Sequence, residues 1–124
     1  GSNEPPSWAK DVPEDLEPHQ EMAVACALAD AWRVRKLLRE AGAAGERELA
    51  TKAVALDEKD SYPPLLQVCH SKFARDFYRR SSSFKETVSV GGHKVSGSGC
   101  AEGAVDCLRA LIRAGAGVDE EVLK

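Results

Sequence analysis

Two stretches of this chain resemble each other, and that internal similarity limits the folds open to it. Arg33-Val34-Arg35-Lys36-Leu37-Leu38-Arg39-Glu40-Ala41-Gly42-Ala43 aligns without a gap on Asp106-Cys107-Leu108-Arg109-Ala110-Leu111-Ile112-Arg113-Ala114-Gly115-Ala116, and both copies close with Ala-Gly-Ala. Apolar residues at helical spacing followed by glycine describe an amphipathic helix with a C-terminal stop. A helix of this kind cannot bury its apolar side alone, so two copies imply stacked supersecondary units. At 124 residues and 13.3 kDa the chain has the size of one domain with one modest core. The longest apolar run free of charge, Met22 to Ala29, is far too short to span a bilayer, and no leader-like segment opens the sequence.

Residues 1–20 carry Pro5, Pro6, Pro13 and Pro18 among many acids and predict an extended arm with Trp8 as its anchor. From Glu21 to Ala41 the pattern becomes helical in two pieces, one presenting Met22, Ala25, Cys26 and Ala29, the other Val34, Leu37 and Leu38, with Asp30 at the join. The alanines of the first piece let a neighbour approach closely. Gly45 to Asp60 predicts a loop holding a short amphipathic helix with Leu49, Ala53 and Leu56 on one side. Ser61-Tyr62-Pro63-Pro64 suits a helix start. Leu65, Cys69, Phe73 and Phe77 then recur at steps of four, which predicts a helix running to about Arg80.

The segment 81–102 changes character. Runs of Val, Thr and Ser on either side of Gly91-Gly92 predict a small β-hairpin, with Gly97-Ser98-Gly99 as a hinge behind it. Val105, Leu108, Leu111 and Ile112 predict a last amphipathic helix ending at Gly115.

The pattern shared by these two segments resembles the outer helix of an ankyrin repeat, roughly G-H-x-x-V-V-x-L-L-L-x-x-G-A-x-V-N. Gly103-Ala104 stands at the family's G-H turn, Cys107-Leu108 at V-V, Ala110-Leu111-Ile112 at L-L-L, Gly115-Ala116 at G-A and Val118-Asp119 at V-N. Ser61 to Cys69 is similar to the front half of a repeat, G-x-T-P-L-H-x-A-A, matching at Pro64 and Leu65, with Pro63 in place of Thr and Leu66 in place of His. The family joins the two halves by about two residues, whereas residues 70–102 intervene here. The resemblance therefore implies a mainly α fold of ankyrin-like stacked helical hairpins in residues 21–124, behind an acidic Pro-rich arm at 1–20. An insert at about 70–102 would hold a helix extension and the small β-hairpin. Flanking helix ends that lie close would make 71–101 a semi-independent unit. The same helix patterns also suit an unrelated helical bundle.

Composition places the function outside several classes. Net charge is −3 from 17 Lys and Arg against 20 Asp and Glu. Its distribution is uneven: residues 1–22 carry six acids against Lys10, while Lys72, Arg75, Arg79, Arg80, Lys85 and Lys94 exceed the acids of 70–102. The basic stretch with Phe73, Phe77, Tyr78 and Phe84 suits an RNA contact, but a net acidic chain argues against a nucleic-acid partner. The four cysteines, Cys26, Cys69, Cys100 and Cys107, include no CxxC pair. Neither Cys69-His70 nor His93 with Cys100 has the usual zinc spacing, so no metal and no cofactor is expected. Free cysteines suit a reducing intracellular compartment, cytoplasmic or nuclear. His19, His70 and His93 lie in no catalytic motif, and no glycine-rich loop has phosphate-cradling spacing, so no enzymatic activity is expected.

A protein-binding role follows from the ankyrin resemblance, as a scaffold or adaptor portion of a larger protein, with identical copies or adjoining repeats completing the stack. The family's concave surface would fall around Glu21, Asp57 to Tyr62 and Gln67. Trp32 stands on the outer helix, either covered by the arm near Trp8 or displayed as an interface anchor. The candidate partner-binding residues are Trp32, Tyr62, Gln67, Tyr78, Arg79 and Arg80. Arg79-Arg80 beside Ser81, Ser82 and Ser83 resembles a site for a basophilic kinase, which makes a phosphorylation-regulated switch, or an accessory domain of a larger enzyme, the alternative function. A nucleic-acid-binding accessory domain is a third reading.

Overall fold

A computed structural model describes residues 4–6, 11–57, 60–75 and 83–116. Helix α1 (Pro18–Ala27) starts on proline at its first position, and the Glu17 amide donates to Gln20 Oε1 at 3.1 Å. Every residue from Met22 to Ala31 is buried, so α1 is the central element of the core, apolar on all sides as such a helix must be. It ends in a turn in which the Asp30 amide donates to Ala25 O at 2.8 Å and the Ala29 amide to Cys26 O at 3.3 Å. This closure normally uses glycine at the left-handed position; here Ala29 takes it, at φ 55°. Asp30 caps the next helix, its Oδ1 accepting the Arg33 amide at 3.1 Å.

Helix α2 (Ala31–Thr51) packs Val34, Leu37 and Leu38 against α1 and breaks at Gly42, φ 73° and ψ 177°, before resuming with Leu49 and Ala50 inside. Short strands β1 (Val54–Ala55) and β2 (Ser61–Tyr62) pair antiparallel. Helix α3 (Pro64–Cys69) packs on α1, and a single-turn helix, α4 (Lys72–Arg75), follows it. Strands β3 (Phe84–Val90) and β4 (His93–Gly99) form a second antiparallel pair closed by Gly91-Gly92, whose φ values of 56° and 82° are those a two-residue hairpin turn requires. Helix α5 (Ala101–Arg113) returns against α2 and α3 and ends at Gly115, φ 108°. No helix among the described residues is long and apolar enough to cross a membrane.

The expected mainly α stack of ankyrin-like hairpins is overturned. Helices take 54% and strands 18% of the described residues, with two antiparallel sheets, so the domain is mixed α/β. Three local causes account for it. After Thr51 the chain extends instead of continuing a helix through Ala53: Val54 and Ala55 find partners in Tyr62 and Ser61, and Ala53 is exposed. The helix begun at Pro64 stops at Cys69, because the buried Ser71 hydroxyl donates to Val68 O at 2.6 Å and accepts the Ala74 amide at 3.2 Å, ending one helix and capping the next. Gly97 to Gly99 are no hinge; they pair with Glu86, Lys85 and Phe84.

The segment expected to be a semi-independent insert belongs to the core. Phe73, Val90 and Val95 are 0%, 1% and 3% exposed within the same apolar cluster as α1, and Phe73 stacks on Phe84 at 4.5 Å. On α5 the buried side is Ala104, Cys107, Ala110 and Leu111, while Ile112, expected inside, is half exposed.

The hairpin is fastened at its tip. Asp57 accepts the Gly91 amide at 2.8 Å through Oδ1 and the Gly92 amide at 2.9 Å through Oδ2, and its own amide donates to Ser89 O at 2.9 Å. From the arm, Asp15 meets His93 at 3.2 Å and Leu16 packs beside Gly91. Asp57→Ala should lower stability by about 1 kcal/mol, two charge-assisted bonds discounted for their exposure. Urea unfolding checks this, with faster amide exchange at Gly91 and Gly92 as its local signature.

Candidate functional site

Of the partner-binding candidates, the structure brings Tyr62 and Gln67 together around one groove. It has a volume of about 240 Å³ and lies between the end of α3 and the flank of β3. Pro63 and Pro64 set the start of α3, which directs Gln67 and His70 to one side; Ser71 then turns the chain so that Lys72 reaches across to Glu86, Nζ to Oε2 3.4 Å. Leu56 lines the groove as an apolar surface. The Tyr62 ring stacks on His70 at 4.4 Å, interplanar 24°.

Gln67, 8% exposed, lines the groove wall.

The other wall is a strand edge. The two-residue turn sets Val90 opposite His93, Val88 opposite Val95 and Glu86 opposite Gly97 as the hydrogen-bonded pairs, so the main-chain groups of Lys85, Thr87 and Ser89 point away from β4. Ser89 O is taken by Asp57, and the Thr87 amide is held by the adjacent Glu86 Oε1 at 3.2 Å. This open edge was not legible in sequence, because it depends on which side of the hairpin meets the helices.

Trp32 lies apart from this groove, half buried on the first turn of α2 with the Arg33 guanidinium 5.5 Å from its ring. Trp8, its expected cover, and the candidates Tyr78, Arg79, Arg80, Ser81 and Ser82 lie outside the described residues. Ser83 is exposed at a second cleft, about 310 Å³, which Arg35, Cys100, Glu102 and Asp106 also line.

No group of three or more His, Cys, Asp or Glu among the described residues is placed to hold a metal. Cys26 and Cys107 are fully buried; burial pushes the Cys26 thiol well above its ordinary value, and Cys107 adds to the rise. The neutral thiol is the form the fold accommodates. Its stabilising contribution is therefore complete below the ordinary thiol range and is lost as pH climbs through the raised value. Exposed Cys69 should accordingly alkylate first with iodoacetamide at neutral pH, and Cys26 only upon unfolding. Peptide mass mapping after timed quenching checks this order.

Comparison of the chain with protein-family models, with curated proteins and with solved structures gives no match.

Proposed function

We propose that this domain is a non-catalytic protein–protein interaction module, serving as a scaffold or adaptor element, and that the groove between α3 and β3 receives its partner. The observation that carries this reading is the groove itself, where Gln67 and apolar Leu56 lie beside the Tyr62–His70 ring stack. Tyr62 and His70 supply a stacked, half-exposed ring surface beside Gln67, the kind of surface that anchors interfaces. The test is quantitative affinity purification with the intact chain and with a Gln67→Ala, His70→Ala double variant whose circular dichroism matches the parent. A partner protein should be enriched by the parent and lost from the double variant; identical recoveries would overturn the reading.

Regulation by phosphorylation is the second reading, supported by exposed Ser83 beside Arg35 in the 310 Å³ cleft. Phosphorylation there would place two negative charges near a guanidinium. Incubation with a basophilic kinase and site mapping tests it, and an unmodified Ser83 counts against it.

A further inference from the structure

We propose that α5 pairs antiparallel with α5 of a second copy of this chain, through the apolar side that it leaves in solvent. This side lies apart from the groove described above, to whose lining α5 contributes no residue.

The first observation is the apolar side itself. Val105, Leu108 and Ile112 recur at helical spacing along α5. Val105 and Leu108 are half-buried, and Ile112, at 51%, is the one exposed large apolar side chain among the described residues. The chain supplies its own standard for comparison in α2. In the gapless alignment of the two similar segments, Val34 and Leu38 of α2 correspond to Cys107 and Leu111 of α5, and all four are buried. Arg35 and Arg39 correspond to Leu108 and Ile112, and both arginines are exposed. Thus α2 carries charge at the positions that meet water, as a surface helix ordinarily does, while α5 carries leucine and isoleucine at the same positions. An apolar row where the matching helix is charged marks an interface.

The second observation is charge, which selects the occupant. Glu102 and Asp106 stand on the N-terminal half of α5, Arg109 and Arg113 on its C-terminal half, at steps of four, three and four that place them on one flank of the apolar row. Within the helix they meet only loosely, Arg109 to Asp106 at 3.7 Å with both side chains well exposed. Arg35 borders the same cleft as Glu102 and Asp106 but makes no ion pair with either. A two-fold axis beside Leu108 sets Ile112 of one copy against Val105 of the other. It also sets Glu102 opposite Arg113 and Asp106 opposite Arg109, so the whole flank meets opposite charge. A parallel pair sets Glu102 against Glu102 and Arg113 against Arg113, and is repelled. The acid-to-base order along α5 therefore complements α5 itself, in one orientation.

Sedimentation equilibrium of the intact chain, with reducing agent to keep exposed Cys69 from cross-linking, measures the association. One helix pair is smaller than a standard interface, so a monomer–dimer equilibrium with Kd of about 10–100 µM is expected. Dilution of the 15N-labelled chain should shift amides of α5 with the same constant, a readout that requires no variant. Ile112→Arg writes into α5 the residue that α2 carries at the matching position. It should weaken association at least about tenfold, because the two-fold axis uses the side chain twice, while Tm stays with the parent's. Glu102→Arg and Arg113→Glu alone should each weaken association about tenfold, and the two combined in one chain should restore the parent's Kd, since each reversed residue then faces a reversed partner. The Gln67→Ala, His70→Ala variant should dimerise as the parent does.

A chain that stays monomeric up to about 1 mM overturns the proposal. So does a dimer that Ile112→Arg leaves intact, or one whose dilution shifts spare α5, since the contact then lies on another surface. Single reversals that leave Kd unchanged, or a combined reversal weaker than either alone, overturn the antiparallel pairing.

Discussion

Replacing Phe73 by alanine is expected to remove about 3–5 kcal/mol of stability, enough to leave much of the chain unfolded near 37 °C if the domain has ordinary stability. Phe73 is the largest of the completely buried side chains, and its ring stacks on Phe84 at 4.5 Å while touching the backbone near Gly99. It joins three things at once: the α3–α4 turn, the base of the β3–β4 hairpin, and the start of α5. Truncation leaves a void in an environment of short, stiff elements that cannot close on it. The same reasoning reverses the expectation that residues 71–101 can be exchanged for a short turn. Removing them takes away Phe73, Val90 and Val95 together and exposes α1, so the deleted chain should lose its cooperative melting transition. Urea unfolding of Phe73→Ala and calorimetry of the deletion check both. A Phe73→Ala chain that melts with the parent would show that the 73–99 region rests on the core without contributing to it.

The parts of this fold that the sequence announces are those decided by neighbours along the chain. Gly91-Gly92 between β-branched runs states a hairpin, because only glycine takes two successive positive φ angles at no steric cost. The join at Asp30 and the ends at Gly42 and Gly115 are similarly local, a side-chain cap and two left-handed residues. The errors lie where a residue's meaning depends on what comes to meet it from far away. The stripe Leu65, Cys69, Phe73 looked like one helix, yet Cys69 is exposed and Phe73 reaches the core only because Ser71 redirects the chain. Gly97 and Gly99 suggested flexibility, yet both pair with β3, and the small size of Gly99 serves a close approach. Gln67 could be named from a family resemblance, but nothing local says that it lines a groove against β3. The β3 edge beside it is a product of packing alone, and Asp57, which closes part of that edge, has no sequence signal beyond being an acid near a turn.

Gly103→Ala tests that close approach, and its expected sign is opposite to the rule for helices. Within a helix, alanine is ordinarily favoured over glycine by roughly 1 kcal/mol. Gly103 lies in the first turn of α5, where a Cβ would stand 2.7 Å from the Ala29 carbonyl oxygen and 3.5 Å from the Ala29 Cβ. That oxygen is main chain, in a turn fixed by the Asp30 and Ala29 amide bonds and by a left-handed alanine, so it cannot swing aside as a side chain would. Gly99, just before α5, is in the same position: a Cβ there would lie 2.8 Å from Leu28 O and 3.0 Å from the Phe73 ring. The β4–α5 junction thus sits directly on the α1–α2 turn, and separating them by one methyl group disturbs both. A net loss of about 3 kcal/mol is expected for Gly103→Ala, the overpacking cost outweighing the gain in propensity, and with it a fall in Tm of roughly 10 °C or more. Gly45→Ala supplies the matched comparison, since the nearest atom to its added Cβ is Ala41 Cβ at 3.5 Å, an ordinary contact. It should leave stability unchanged or raise it by up to about 1 kcal/mol. Should both variants melt at or above the parent, α5 does not begin against the α1–α2 turn, and the seat of the hairpin on the core has to be redrawn.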